Sequence, residues 1–309
     1  MEYHTLGKTG LKVSALSFGA SSLGGVFKPV DESVAIRALH TALDLDINYI
    51  DVAPYYGLTK AETVLGKALR GVPRDKYYLA TKIGRFGQSE FDFSAARTYR
   101  SVDESLARMG VDYVDVIQAH DLEFGDLNQI VDETLPAMRR VQEQGKARFV
   151  GITGYPLSIF RSVLGRAEVD TILSYNRYSL NDTALESLLP FLEEKGVGII
   201  SASPVSEGLL TNQGPPAWHP AQDEIKRGCA EAATWCREHG SDIARLAIQF
   251  SVANTRIATT CLGSANPENV KKAAQWIEEP LDQELLAQVR RILAAIQNKT
   301  WIVGRPENN

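Results

Sequence analysis

Residues 77–120, YYLATKIGRFGQSEFDFSAARTYRSVDESLARMGVDYVDVIQAH, hold the pattern that decides the fold. A short run rich in aromatic and apolar side chains, Tyr77 to Thr81, gives way to a polar stretch. Then Ala95 to Met109 places its apolar residues at helical spacing, Gly110 stops the helix, and a second apolar run follows from Val114 to Ala119. Strand, helix and strand at this spacing make a βαβ unit with parallel neighbouring strands. The same alternation extends in both directions. Further strands are expected at Val13 to Phe18, Tyr49 to Val52, Phe149 to Ile152, Thr171 to Tyr175, Gly198 to Ala202 and Ile257 to Leu262, giving eight. Helical periodicity fills gaps such as Glu32 to Leu45, Lys60 to Leu69, Leu127 to Gln144, Ala184 to Lys195 and Ile243 to Val252. Several of these close on Gly, as at Gly110, Gly145 and Gly196, the residue that best tolerates a left-handed cap.

Eight strands with intervening helices and no Pro-, Gly- or Ser-rich linker predict one domain over residues 1–309, a (β/α)8 TIM barrel of α/β class. An open doubly wound sheet has the same periodicity, but Phe18-Gly19-Ala20-Ser21-Ser22 lacks the G-x-G-x-x-G spacing that such sheets use for phosphates. Ahead of the barrel, Tyr3-His4-Thr5-Leu6 and Leu11-Lys12-Val13 flank Gly7-Lys8-Thr9-Gly10, which reads as a β-hairpin able to close the barrel floor. The tail, residues 304–309, is expected to fray.

Composition narrows the function. The 309 residues are 44% hydrophobic and 23% charged, ordinary for a globular chain, and 33 basic against 38 acidic residues leave a net charge of −5. No Lys/Arg cluster suits nucleic acid. Cys229, Cys236 and Cys261 are odd in number and lack metal-ligand spacing, so no metal site or disulfide framework is expected and a reducing compartment is. No segment approaches the roughly eighteen apolar residues of a membrane span, and the start lacks a signal-peptide run, so the reading is cytoplasmic. Oligomeric state, monomer or dimer, stays open.

A barrel of this kind works at the carboxyl ends of its strands. Asp51, Lys82 and His120 end three consecutive strands, and Tyr56 follows Asp51 on the overhanging loop. A free phenol titrates near about 10, so proton exchange at neutral pH calls for a nearby cation that favours the phenolate. Lys82 can supply that charge, Asp51 can hold it, and His120 can hydrogen-bond a reacting oxygen. Such a set suits carbonyl reduction or alcohol oxidation, where hydride moves at carbon and a proton at oxygen.

Asp51-Val-Ala-Pro-Tyr-Tyr56-Gly57, Glu62-Thr-Val-Leu65-Gly66, Leu79-Ala-Thr-Lys82 and Asp112-Tyr-Val-Asp115-Val-Ile-Gln-Ala-His120 together resemble the signature of the aldo-keto reductases, in order over essentially the whole chain. That resemblance implies a nicotinamide cofactor, with the tyrosine as general acid or base and the other three assisting it. Phe18 to Phe27, Lys82-Ile-Gly-Arg85, Phe91-Asp-Phe-Ser94, His120 to Gly125, Ser201-Ala-Ser-Pro204, Gly214 to Pro220 and Lys299-Thr-Trp301 narrow it to the aldose 1-dehydrogenases of that family, nearest those acting on L-galactose. The implied reaction is oxidation of the anomeric carbon to a lactone by NAD; L-fucose is an alternative sugar.

The same resemblance implies the cofactor contacts. Thr153-Gly154 stand where the family holds the nicotinamide amide with a Ser-Asn pair, Tyr175 where many members have Gln, and Ala202 where many have a stacking Tyr. Ser203, Pro204, Val205, Gly208 and Leu209 lie in the segment that wraps the pyrophosphate, and Gly263, Ser264 and Asn269 cover the adenosine. NADP-specific relatives have Lys and Arg at the Gly263 and Asn269 positions, so NAD is expected, with NADP kept open by Lys271 and Lys272. Tyr55, Arg85 and Asp121 are the candidate sugar contacts. The rival readings are an NADP-dependent aldehyde or ketone reductase and, outside catalysis, a cofactor-sensing regulatory subunit.

Overall fold

A computed structural model describes residues 1–26 and 29–309; Phe27, which closes the Phe18 to Phe27 motif, lies outside the described residues. The chain opens with β1 (Tyr3–Thr5) and β2 (Lys12–Ser14), an antiparallel pair in which Tyr3 faces Ser14. Eight parallel strands follow. They are β3 (Leu16–Gly19), β4 (Tyr49–Asp51), β5 (Tyr78–Ile83), β6 (Val114–Ala119), β7 (Ala147–Gly154), β8 (Thr171–Tyr175), β9 (Gly198–Ala202) and β10 (Thr259–Gly263). Each pairs with the next, and β10 pairs back onto β3, closing the barrel.

Side chains alternate across each strand, which produces two cores. Tyr49, Ala80, Val116, Leu173 and Ile200 point inward with Leu6, Leu11 and Val13 of the hairpin. Ile50, Leu79, Ile117, Val150 and Ile172 point outward onto the helices. The helix Ala95–Met109 follows from its sequence: Ser94 Oγ accepts from Arg97 N at 3.2 Å, and Gly110 ends it at φ 68°. Its buried positions Thr98, Ser101, Val102, Ser105, Leu106 and Met109 form one stripe at the 3.6-residue period. The hairpin seats on the amino-terminal ends of the strands: Lys8 N donates to Gly196 O at 2.7 Å, and a Cβ on Gly7 would lie 2.3 Å from Gly198 N.

Four expectations are corrected. The first predicted strand, Val13 to Phe18, is two: Lys12–Ser14 stays with the hairpin, Leu16–Gly19 enters the barrel, and Ala15 between them donates to Glu2 O at 2.9 Å. The stretch Leu127 to Gln144 contains a π turn at Ile130–Thr134, because Pro136 in the next turn has no N–H for the i to i−4 ladder. Pro190 likewise makes Ala184–Leu188 a 3-10 turn before the helix Leu189–Glu194. The tail is docked: Asn308 is buried, and its Nδ2 donates to Glu123 O and Gly125 O at 3.0 Å each. Among the described residues no helix is long and apolar enough to cross a membrane, and the three cysteines are buried free thiols.

Candidate active site

The inward faces of β4, β5 and β6 turn polar toward their carboxyl ends. Two residues above Tyr49, Ala80 and Val116 stand Asp51, Lys82 and Gln118, and Lys82 and Gln118 are partners in register. The Lys82 ammonium is fully buried and bonds Asp51 Oδ1, and it also donates to Val52 O at 2.9 Å. Gln118 Nε2 donates to the other Asp51 oxygen at 2.7 Å. Burial works against the charge on Lys82, but Asp51, with Tyr56 behind it, outweighs burial and holds its pKa above the ordinary lysine range.

Tyr56 reaches the same spot from the loop after β4. Gly57 adopts φ 61°, and a Cβ there would lie 2.3 Å from Gly24 O, so backbone meets backbone at this point and fixes the loop. The Tyr56 ring centroid lies 4.9 Å from Lys82 Nζ. His120, just past β6, presents its ring edge-on to Tyr56 at 5.5 Å and 90°. Burial pushes the Tyr56 phenol up from its usual range, and Lys82 pulls it down without reversing the shift. The ammonium thus acts in the expected direction, yet the phenol stays neutral. His120 is pushed down to about 3, by burial first, with Asp121 opposing and Lys82 and Arg85 reinforcing, so it is a neutral imidazole. Its Nδ1 has no hydrogen-bond partner among the described residues.

A cleft of about 420 Å3 opens above these four residues. On its rim Arg85 donates to Asp121 Oδ2 at 2.5 Å and stacks on Tyr55 at 3.9 Å. Asp121 adopts φ 51° and is held by Thr153, whose Oγ1 accepts from Asp121 N at 2.8 Å and faces Asp121 Oδ1 at 3.2 Å. Two other hollows, about 470 and 510 Å3, lie among the outer helices and contain none of the expected site residues.

Thr153, Tyr175, Ser203, Val205 and Gly263 line the cleft together with the four central residues and with Tyr55, Arg85 and Asp121. The others stand back from it. Leu209 is in the core, Pro204 is buried, and Gly154 packs against Ile159. Gly208 and Ser264 are half-buried outside the lining, and Asn269 is exposed on the helix Pro267–Glu278. Sequence reasoning missed Gln118, Glu123, Glu207 and Trp218. Gln118 had a signal, since it lies two residues before His120 on the inward face of the same strand.

One side of the cleft mouth is open enough for an elongated, phosphate-bearing ligand. Gly19 and Gly263 face each other across the β3–β10 seam, leaving the rim there as bare backbone, with Ser21 Oγ 3.3 Å from where a Gly263 Cβ would stand. Asn266 caps the helix that starts at Pro267 just beyond this opening. A gap without side chains, flanked by a hydroxyl and a helix amino terminus, has room for the phosphate-bearing adenosine end of a dinucleotide.

The sequence pattern described as the Aldo/keto reductase family matches residues 15–294. The chain is 49% identical to L-galactose dehydrogenase of Arabidopsis thaliana, over 100% of this chain and 99% of that protein. It is 31% identical to D-arabinose 1-dehydrogenase of Saccharomyces cerevisiae, over 84% and 82% respectively. Among solved structures, the holo form of an aldo-keto reductase from Bacillus halodurans matches with TM-score 0.80 and 30% identity, covering 97% of this chain and 98% of that one.

Proposed function

This chain belongs to the aldo/keto reductase family of oxidoreductases, and on that premise we propose that it oxidises the anomeric carbon of an aldose, L-galactose first, with NAD as acceptor and Tyr56 as base. The observation that supports this most is the Tyr56 ring held 4.9 Å from a buried ammonium, beside a neutral imidazole, at the bottom of one cleft. Oxidised nicotinamide, when bound, would supply the hydride acceptor for the carbinol carbon and a positive charge near the phenol. Tyr56 takes the C1 hydroxyl proton as phenolate, a form that Lys82 stabilises and that rising pH populates. Asp51, with both oxygens engaged, keeps Lys82 charged and in place. Neutral His120 hydrogen-bonds the reacting oxygen and orients it.

The rim suits a polyhydroxylated substrate. Asp121 supplies acceptors, Arg85 and Tyr55 supply donors, and all three line the cleft beside His120. NAD is favoured over NADP because no cation stands at Gly263 or Asn269; of the two nearby lysines, Lys271 is engaged with Glu268 at 2.9 Å and Lys272 is the exposed cation that keeps NADP as the alternative. The nicotinamide end would meet Tyr175, Ser203 and Val205. Buried free thiols suit a reducing compartment, and we place the enzyme in the cytoplasm.

The test is a panel of L-galactose, L-fucose and D-arabinose, each with NAD or NADP at equal concentration, beside an aromatic aldehyde with reduced NAD or reduced NADP. The reading expects nicotinamide reduction to be fastest with L-galactose and NAD. Turnover confined to the aldehyde and reduced NADP would replace it with a reductase, and cofactor binding without turnover of any compound would point to a sensor.

A further inference from the structure

Glu123 is an acid in a place where an acid is costly. It sits on the turn Leu122–Phe124 after β6 with none of its surface exposed, and it is not one of the four central residues. Its Oε1 accepts from Tyr175 OH at 2.6 Å and from Tyr155 N at 3.3 Å, while Oε2 has no partner among the described residues. Tyr175 is the inward-facing last residue of β8, and its ring lines the cleft. In an eight-strand barrel β8 lies four strands from β4, so Tyr175 stands across the mouth from the loop that carries Tyr56. Its partner in register on β9 is Ala202, too small to crowd the ring. The phenol oxygen is thus clamped by Glu123, and the ring, with Tyr155 tilted against it at 5.5 Å, borders the cleft.

We propose that Glu123 is a positioning residue: by gripping the Tyr175 hydroxyl it fixes that ring as the wall against which the nicotinamide ring rests, opposite Tyr56. This rests on the nicotinamide reading above. The Tyr175 hydroxyl can donate to Oε1 in either protonation state of the acid, and more strongly to the carboxylate; what opposes ionisation here is burial of the charge with Oε2 unpaired. Burial and the nearby Asp121 raise the Glu123 carboxyl to about 8, with the Tyr175 hydrogen bond opposing. The other charged or titratable groups facing it offer no counter-charge. Tyr155 gives only its backbone N–H, Arg305 gives its backbone N–H to Glu123 O and its Nε to Phe124 O, Arg85 is taken by Asp121 and Arg177 by Asp182, and Glu207 is itself acidic. The grip on Tyr175 is available to the acid in either form, and it is lost when the acceptor itself is removed.

The test is equilibrium binding of reduced nicotinamide cofactor, followed by its fluorescence at pH 7, for wild type, Glu123→Gln, Glu123→Ala and Tyr175→Phe. Binding is read rather than turnover because the Tyr56 proton also moves turnover. Glutamine keeps an uncharged acceptor for the Tyr175 hydroxyl, so Glu123→Gln should match wild type within about twofold, while Glu123→Ala removes the grip and should bind roughly fivefold more weakly. Tyr175→Phe keeps the ring but loses the clamp, and should also bind roughly fivefold more weakly. The proposal is overturned if Glu123→Ala and Tyr175→Phe, both folded by circular dichroism, bind the cofactor within about twofold of wild type, or if Glu123→Gln is weakened as much as Glu123→Ala. A wild-type protein that binds no nicotinamide cofactor would remove the function reading as well as the clamp.

Discussion

Asp51 answers an ammonium that is almost wholly withdrawn from water, and that single duty governs what its removal should do. Lys82 has 1% of its side chain exposed and no second carboxylate partner among the described residues. In Asp51→Ala the cation would be left buried beside Val52 O alone, a loss of about 3–5 kcal/mol by the usual cost of stripping one partner from a buried pair. Urea unfolding should report that drop together with loss of turnover; stability within 0.5 kcal/mol, on the order of a neutral surface change, would mean that Lys82 is not held charged in the fold. The four central residues were legible in the sequence because each sits at or just beyond a strand end, where period-two alternation and strand boundaries leave little freedom. Glu123 was not legible. Its partner Tyr175 is 52 positions away, and an acid inside an otherwise unremarkable turn carries no local sign that it is buried.

Elements deliver these side chains through backbone contacts as much as through packing. The Tyr56 loop meets the turn Ala20–Gly24 glycine to glycine, and any Cβ at position 57 would collide with the Gly24 carbonyl while forcing a side chain into φ 61°. Gly57→Ala should therefore move Tyr56 off its place near Lys82 and lower kcat by roughly a hundredfold, on the order of what a 1 Å misplacement costs, with the fold retained by circular dichroism. Unchanged kcat in a folded variant would show that the contact does not set the position of Tyr56. Helices and strands were readable wherever periodicity ran uninterrupted and Gly marked the stop. Where the pattern continued through Pro136 and Pro190 the expectation ran on, because hydrophobic spacing does not register a missing N–H. The split at Ala15 escaped for a related reason: one continuous apolar run can serve two sheets, and only pairing partners tell them apart.

At the scale of the whole molecule the barrel joins two structures, a floor made by the hairpin and a mouth made by the strand ends. Leu6 is fully buried against the Gly198 backbone and belongs to the inner core with Tyr49 and Val116, so it links floor to interior. Leu6→Ala should cost about 2–5 kcal/mol in urea unfolding while leaving cofactor affinity of the folded protein unchanged; an equal loss of affinity would mean that the floor shapes the mouth directly. The docked tail was the whole-molecule feature that the sequence hid, since a polar terminus looks loose until Asn308 is seen bonded to the turn that bears Glu123. All of this geometry serves one claim, that the fold brings a phenol to a buried ammonium so that the phenol can exchange a proton with a sugar hydroxyl. The most direct test compares Tyr56→Phe with wild type in L-galactose oxidation and in cofactor binding. The account predicts a fall in kcat of at least about a hundredfold with binding kept within a few fold; turnover near the wild-type rate with binding intact would contradict it.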